Sequence, residues 1–266
     1  MKYFLTGSSG FIGSNLNNRL NGRIYLYNKG QDTAVVGTFK PDVIFHLAGE
    51  IYVDERMIES NILLTHRLLE EARKLPELKA FIYVGSSSEY GAKDHPMTEV
   101  DYLNPRTMYE ATKGACTLLC QAYARSYGVP VVIARPFSVY GKYEPEHRFI
   151  PTIIKNLLLD KAINIAPGVH DFIHVDDFID GLLLLAQNPK AGEIFNFGTG
   201  IQTSNEELVN LIEKVMKKTA YKRHVDQMRV FDSQSWVCDN TKARSIGWKP
   251  KIGLQEGLTR VIKEGK

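Results

Sequence analysis

A doubly wound α/β fold, a parallel sheet flanked by helices with a small C-terminal α/β annex, is what this sequence predicts, on three observations. The chain opens on a short apolar strand that runs into glycines spaced three apart, Gly7, Gly10 and Gly13, and then into a helix. Apolar, β-branched runs recur at residues 42–49 and 79–85 and again near Ala134, with helical patterning between them, the alternation expected of a parallel sheet. The helix after the second of these runs carries Tyr109 and Lys113 four residues apart, so both lie on one face.

The entry segment sets the register for the rest. Tyr3 to Thr6 read as a buried strand, and the helix begins near Phe11. Gly7 lets the strand turn sharply, Gly10 admits a ligand close to the backbone, and Gly13 lets the helix pack tightly on the sheet. A helix N-terminus aimed at the strand's exit offers free N–H groups and a positive dipole end, a seat for a pyrophosphate. Gly7, Ser9, Gly10, Phe11, Ile12 and Gly13 are therefore read as the wall of a dinucleotide site.

The chain continues with a second strand at Arg23–Tyr27, ending in Tyr27-Asn28-Lys29. In doubly wound folds an acid just past this strand hydrogen-bonds the adenosine 2′-hydroxyl and favours NAD. Here Asn28 and Lys29 stand instead, which favours NADP, with Lys29 available to a 2′-phosphate; the alternative is a turn at Asn28 with Lys29 solvated. Residues 30–40 hold a single strand candidate, Ala34-Val35-Val36, so the usual third unit is trimmed. The run 42–49 is a buried central strand whose end, Leu47, Ala48 and Gly49, should border the cofactor; His46 is read as a core histidine. Residues 54–74 carry a helical apolar stripe, and the strand at 79–85 ends in Ser86-Ser87-Ser88-Glu89-Tyr90-Gly91. Hydroxyls at a strand's C-terminal end lie where α/β sheets bind ligands. A helix start at 104–107 leads into Tyr109 and Lys113. A tyrosine titrates near pH 10 unperturbed, and a cation one turn away stabilises its phenolate.

These elements together resemble the extended short-chain dehydrogenases of the NAD-dependent epimerase/dehydratase type, which act on nucleotide sugars. The resemblance rests on Thr6-Gly-Ser-Ser-Gly-Phe-Ile-Gly13, the His46-Leu-Ala-Gly49 ending, the Ser86–Gly91 turn and Tyr109-Glu-Ala-Thr-Lys113. It extends through Ala134-Arg-Pro-Phe-Ser-Val-Tyr-Gly141, His170-Asp-Phe-Ile-His-Val-Asp-Asp177, Glu193-Ile-Phe-Asn-Phe-Gly-Thr-Gly200, Trp236-Val-Cys-Asp239 and Ile246-Gly-Trp-Lys-Pro250. It implies a Rossmann domain at residues 1–140 and a substrate region at 141–266, with 171–200 returning to the first part. It implies Tyr109 as the acid/base, Lys113 as its tuner and ribose anchor, and Ser86, or Ser87, as the hydroxyl that binds the reacting oxygen. Asn61 would help position the nicotinamide side, Pro136 would touch the cofactor, and Ser88, Ser138 and His170 would meet the substrate. Ser138 and His170 replace an Asn and an Arg of the family pattern. A homodimer through the Tyr109 helix is the family's usual assembly. Helices at 147–160 and 204–218 and a closing helix complete the annex.

With 33 basic and 30 acidic residues the net charge is +3, too balanced to argue for a nucleic-acid or membrane partner. Cys116, Cys120 and Cys238 suit neither a disulfide framework nor a metal site, which fits a reducing cytoplasm. No leader and no membrane span are expected. The expected partner is a nucleotide-diphosphate sugar, and the cofactor NADP or NAD. Within the family the machinery serves dehydration, 4-epimerisation or keto-sugar reduction. Dehydratases place an Asp/Glu pair directly after the catalytic hydroxyl; counted from Ser86 those positions are Ser87 and Ser88, with Glu89 one place late. The expectation is a 4-keto-sugar reductase, with a 4-epimerase holding NAD tightly as the alternative and a non-catalytic NAD(P)-binding sensor as the remote one.

Overall fold

The computed structural model describes residues 1–226 and 233–264. Its first half runs β1 (Lys2–Thr6), α1 (Phe11–Arg19), β2 (Arg23–Tyr27), α2 (Val35–Phe39) and β3 (Val43–His46). α3 (Asp54–Met57), a π turn at Ile58–Leu63 and α4 (Leu64–Ala72) follow as one continuous rod, then β4 (Ala80–Val84), a 3₁₀ turn at Ser87–Tyr90, α5 (Met108–Tyr127) and β5 (Val131–Pro136). The second half holds β6 (Ser138–Tyr140), α6 (Phe149–Leu158), β7 (Ile163–Ile165), β8 (Val169–His170), β9 (Phe172–His174), α7 (Val175–Gln187) and β10 (Ile194–Phe197). β11 (Thr203–Ser204), α8 (Asn205–Met216), β12 (Lys222–His224), α9 (Thr241–Ser245) and α10 (Leu254–Glu264) close it.

Six parallel strands form the main sheet in the order β10-β5-β4-β3-β1-β2. The inner strands β3, β4 and β5 are buried along their whole length, which is why they read as unbroken apolar runs rather than alternating ones. On one face Leu16 of α1 and Phe178, Leu182 and Leu185 of α7 cover the sheet. On the other, Leu68 and Leu69 of α4 and Cys116 and Cys120 of α5 do so. The cysteines are free and buried. β10 thus brings the chain back to the main sheet after β6 to β9 have left it. A separate cluster built on Ile150, Ile153, Ile163, Leu208 and Leu258 packs α6, β7, α8 and α10 together.

The strand expected at Ala34-Val35-Val36 is a helical turn instead. Asp32 Oδ1 accepts from the Ala34 N–H at 2.9 Å and starts the turn, and Val36 is buried with the cluster on the α4–α5 face. The chain passes from β2 through this one helical turn directly to β3 on the far side of β1, so β2 remains the sheet's edge. In register Thr6 lies beside His46 and His46 beside Tyr83, which aligns the C-terminal ends of β1, β3 and β4 on one side of the sheet.

Candidate active site

That aligned edge opens into a cavity of about 1690 Å³, larger than the roughly 300–1,000 Å³ that one small ligand occupies. Gly7 turns with φ +70° and its carbonyl accepts from the Gly10 N–H at 3.0 Å. A Cβ on Gly13 would fall 1.9 Å from the Gly7 oxygen, so α1 can start where it does only with glycine there. Gly10 caps α1 without a side-chain acceptor, which leaves the first N–H groups of the helix to a ligand. Gly7, Ser9, Gly10, Phe11, Ile12, Gly13, Asn28, Lys29, Leu47, Ala48, Gly49 and Pro136 all line this cavity. The uncapped helix end and its glycine cradle fit a dinucleotide phosphate.

Behind the wall a chain of hydrogen bonds fixes the end of β3. The Leu47 and Ala48 N–H groups donate to Thr6 Oγ1 at 3.2 and 3.1 Å, which leaves the Thr6 hydroxyl proton for His46 Nδ1 at 2.8 Å. His46 Nε2 then donates to Thr65 Oγ1 at 2.8 Å, and Thr65 donates to the Asn61 carbonyl at 2.6 Å. Full burial, with the Lys113 charge adding to it, pushes His46 down to about 3, so it stays neutral.

Asn61 is the site candidate that does not reach the cavity. It is buried in the π turn, where its Oδ1 accepts from Glu50 N at 2.6 Å and its Nδ2 donates to Glu50 O at 3.0 Å and Thr112 Oγ1 at 2.9 Å. Its side chain ties the loop after β3 to α5 rather than facing a ligand.

Ser86, Ser87 and Ser88 lie at the end of β4 and line the cavity together with Tyr109 and Lys113. Ser86 caps the 3₁₀ turn, and its Oγ lies 2.7 Å from Ser88 Oγ. A capping box between Thr107 and Glu110 starts α5 one residue before Met108, which places Tyr109 in the first turn facing the cavity. Lys113 is buried, and its Nζ donates to the Val84 carbonyl at 2.8 Å. A Cβ on Gly49 would stand 3.3 Å from Asn61 Oδ1 and at ordinary contact, 3.4 Å, from that Nζ. Lys113 lies one helical turn beyond Tyr109 on α5. Glu89 is turned away from the cavity into a buried pair with Arg135 at 2.8 Å.

On the annex side Ser138 and His170 line the cavity, with Ser138 Oγ 3.4 Å from His170 Nδ1. The neighbouring motif acids are structural. Asp171 accepts from the N–H groups of Thr199, Gly200 and Cys238, and Asp177 from those of Lys251 and Ile252. Trp236 of the Trp236-Val-Cys-Asp239 segment lines the cavity, and so do residues the sequence reading gave no site role: Tyr52, Arg67, Arg106, Glu144, His147 and Arg148. Tyr52 Oη and His147 Nε2 meet at 2.7 Å from loops 95 positions apart, a pairing no spacing rule could reveal. Glu144 is buried against Arg148, its Oε2 without a hydrogen-bond partner among the described residues, and burial pushes it up to about 7. Among the described residues no group of His, Cys, Asp and Glu is arranged to hold a metal, and no helix is long and apolar enough to cross a membrane.

Residues 3–198 match the NAD-dependent epimerase/dehydratase family. The dTDP-glucose 4,6-dehydratase of Salmonella typhimurium is 29% identical over 87% of this chain and 74% of its own length. The human dTDP-D-glucose 4,6-dehydratase is 27% identical over 85% of this chain and 69% of its own. Among solved structures, the UDP-glucuronic acid 4-epimerase of Bacillus cereus, in complex with UDP-glucuronic acid and NAD, superposes with a TM-score of 0.88 and 26% identity over 100% of both chains. A UDP-glucose 4-epimerase of Thermotoga maritima, at 24% identity and TM-score 0.90 over 99% of this chain and 98% of its own, shares the fold. With its glycine entry loop, serine turn and Tyr109–Lys113 helix gathered on one cavity, the chain belongs to the NAD-dependent epimerase/dehydratase family of nucleotide-sugar enzymes.

Proposed function

We propose that this enzyme reduces the keto carbon of a nucleotide-diphosphate 4-keto-(6-deoxy)sugar, with NADPH as the favoured reductant. The observation that carries the reading is the turn after Ser86. The two positions where an elimination would need an acid and a base hold Ser87 and Ser88, and the nearest acid, Glu89, is fully buried against Arg135. A bound nicotinamide supplies the hydride to the keto carbon. Tyr109 gives its proton to the keto oxygen as that oxygen gains charge, Ser86 hydrogen-bonds the same oxygen, and Lys113 holds the phenolate left on Tyr109. Ketone, hydride and proton sum to the alcohol, so no further acid is required. Asn28 and Lys29, both exposed just past β2, put no acid where an NAD-selecting carboxylate would stand, and the carboxylate further along that loop, Asp32, accepts from the Ala34 N–H.

A second reading, 4-epimerisation with a retained NAD, is favoured by the end-to-end likeness to the Bacillus cereus 4-epimerase. Denaturing fresh protein and quantifying released nicotinamide nucleotide separates the two. An empty site that then binds NADPH more tightly than NADH supports the reductase; near one NAD(H) per chain supports the epimerase and refutes the reductase. We also propose a homodimer through α5, whose Met108, Leu118 and Tyr127 are exposed; sedimentation at micromolar concentration tests it, and a monomer there refutes it.

A further inference from the structure

Ser86 must be held at a defined place relative to Tyr109, because both address one oxygen of the substrate. The structure shows how the two elements are joined. The Ser86 N–H donates to Glu89 Oε1 at 2.8 Å. Glu89 Oε2 accepts from Thr117 Oγ1 at 2.7 Å on α5, and from Arg135 Nε at 3.0 Å and Nη2 at 2.8 Å on β5. Thr117 lies one turn beyond Lys113 on the same helix. One carboxylate therefore joins the serine turn, the helix of Tyr109 and Lys113, and the strand that leads to Pro136 and Ser138.

The surroundings are shaped to admit it. A Cβ on Gly85 would fall 2.4 Å from Glu89 Oε1, so the residue before Ser86 is one that leaves the carboxylate room. The Arg135 guanidinium sits 4.5 Å from the Tyr90 ring centre, and Tyr90 Oη donates to Asn196 Oδ1 at 2.8 Å. Glu89 itself is fully buried and absent from the cavity wall, so it touches no substrate. A buried ion pair is a poor source of stability, since apolar residues of equal volume often serve as well. Its three attachment points instead fix an angle and a distance between groups that must act together.

We propose that Glu89, paired with Arg135, is a positioning residue that sets the Ser86 hydroxyl against Tyr109. The proposal rests on the reading of Tyr109 as the proton-transfer group. Thr117→Val cuts the link to α5 while keeping the side chain's shape, and Thr117→Ser restores the hydroxyl. With NADPH and dTDP-4-keto-6-deoxyglucose as probe, Thr117→Val should lower kcat about ten- to hundredfold, leave KM and NADPH affinity within about twofold, and Thr117→Ser should recover most of kcat. Amide exchange across residues 85–91 should quicken in Thr117→Val and return to normal in Thr117→Ser. If Thr117→Val does not fold, Glu89→Gln, which keeps an acceptor for the Ser86 N–H, takes its place with the same expectations. Unchanged kcat or unchanged exchange in the folded variant overturns the proposal, as does an equal loss in Thr117→Ser. Tyr109→Phe is the control: retained turnover there overturns the proton-transfer reading itself. Its loss beside an unaffected Thr117→Val overturns only the role of Glu89.

Discussion

Replacing Glu144 with Gln should stabilise the protein at alkaline pH and leave it unchanged in acid. The carboxyl lies between β6 and α6 with its side chain 5% exposed, beside an Arg148 that is 38% exposed. Burial raises its pKa from 4.5 to about 7, against the opposing pull of Arg148. A carboxyl whose folded value lies above its unfolded one favours folding fully below pH 4.5, and that contribution is lost as pH rises through about 7. The interval is worth about 3 kcal/mol above pH 8, at 1.36 kcal/mol per tenfold change in proton affinity. Glutamine has no charge to desolvate, so the variant escapes this loss, and Arg148 can turn to solvent. For a chain of this size, about 3 kcal/mol corresponds to a Tm higher by roughly 6–12 °C at pH 8. Thermal melts of both proteins from pH 4 to pH 8 read the effect, with the two curves converging near pH 4. A difference that does not change with pH, or a variant less stable at pH 8, would refute the assignment of a buried, unfavourably ionised Glu144.

Gly13→Ala should abolish NADPH binding and destabilise the fold by roughly 1–3 kcal/mol, because its Cβ would lie 1.9 Å from the Gly7 oxygen; a fluorescence titration beside a melt checks both. Lys29→Glu should weaken NADPH about tenfold or more and spare NADH, by the loss of a charge-assisted contact and the gain of a repulsive one; equal losses for both nucleotides would place Lys29 away from the 2′-phosphate. The His46 ring resonances should not titrate between pH 5 and 8. With the folded value depressed to about 3 from 6.5, His46 adds stability that is present above pH 6.5 and lost as pH falls toward 3.

What the sequence disclosed was local. Gly7, Gly10 and Gly13 answer to constraints within a few residues, a positive φ and a near contact with the Gly7 carbonyl. Tyr109 and Lys113 share a face by helical period, and Thr107 and Glu110 mark the start of that helix. Asn61 rests on the family resemblance alone, and in the π turn its amide is engaged by the loop at Glu50 and by Thr112 instead of reaching the cavity. Val35 and Val36 have strand propensity, yet Asp32 accepts from the Ala34 N–H ahead of the segment and Val36 is buried in the helical turn. The links through Glu89 and between Tyr52 and His147 join residues 28 to 95 positions apart, and only the folded topology brings them together.

The sheet's early stop at β2 has a kinetic meaning. With α2 packed on the α4–α5 face and no strand beyond β2 among the described residues, Asn28, Lys29, Gly30 and Gln31 are exposed at the sheet's edge. A dinucleotide seated here would be anchored at its middle by α1 and at its reactive end beside Lys113, but only loosely tethered at its adenosine. Such a molecule leaves by peeling from the loose end, and its residence time is set by that first detachment. Short residence would suit the co-substrate of the reductase proposed above, whereas the retained NAD of the alternative epimerase would need a firmer hold at this end.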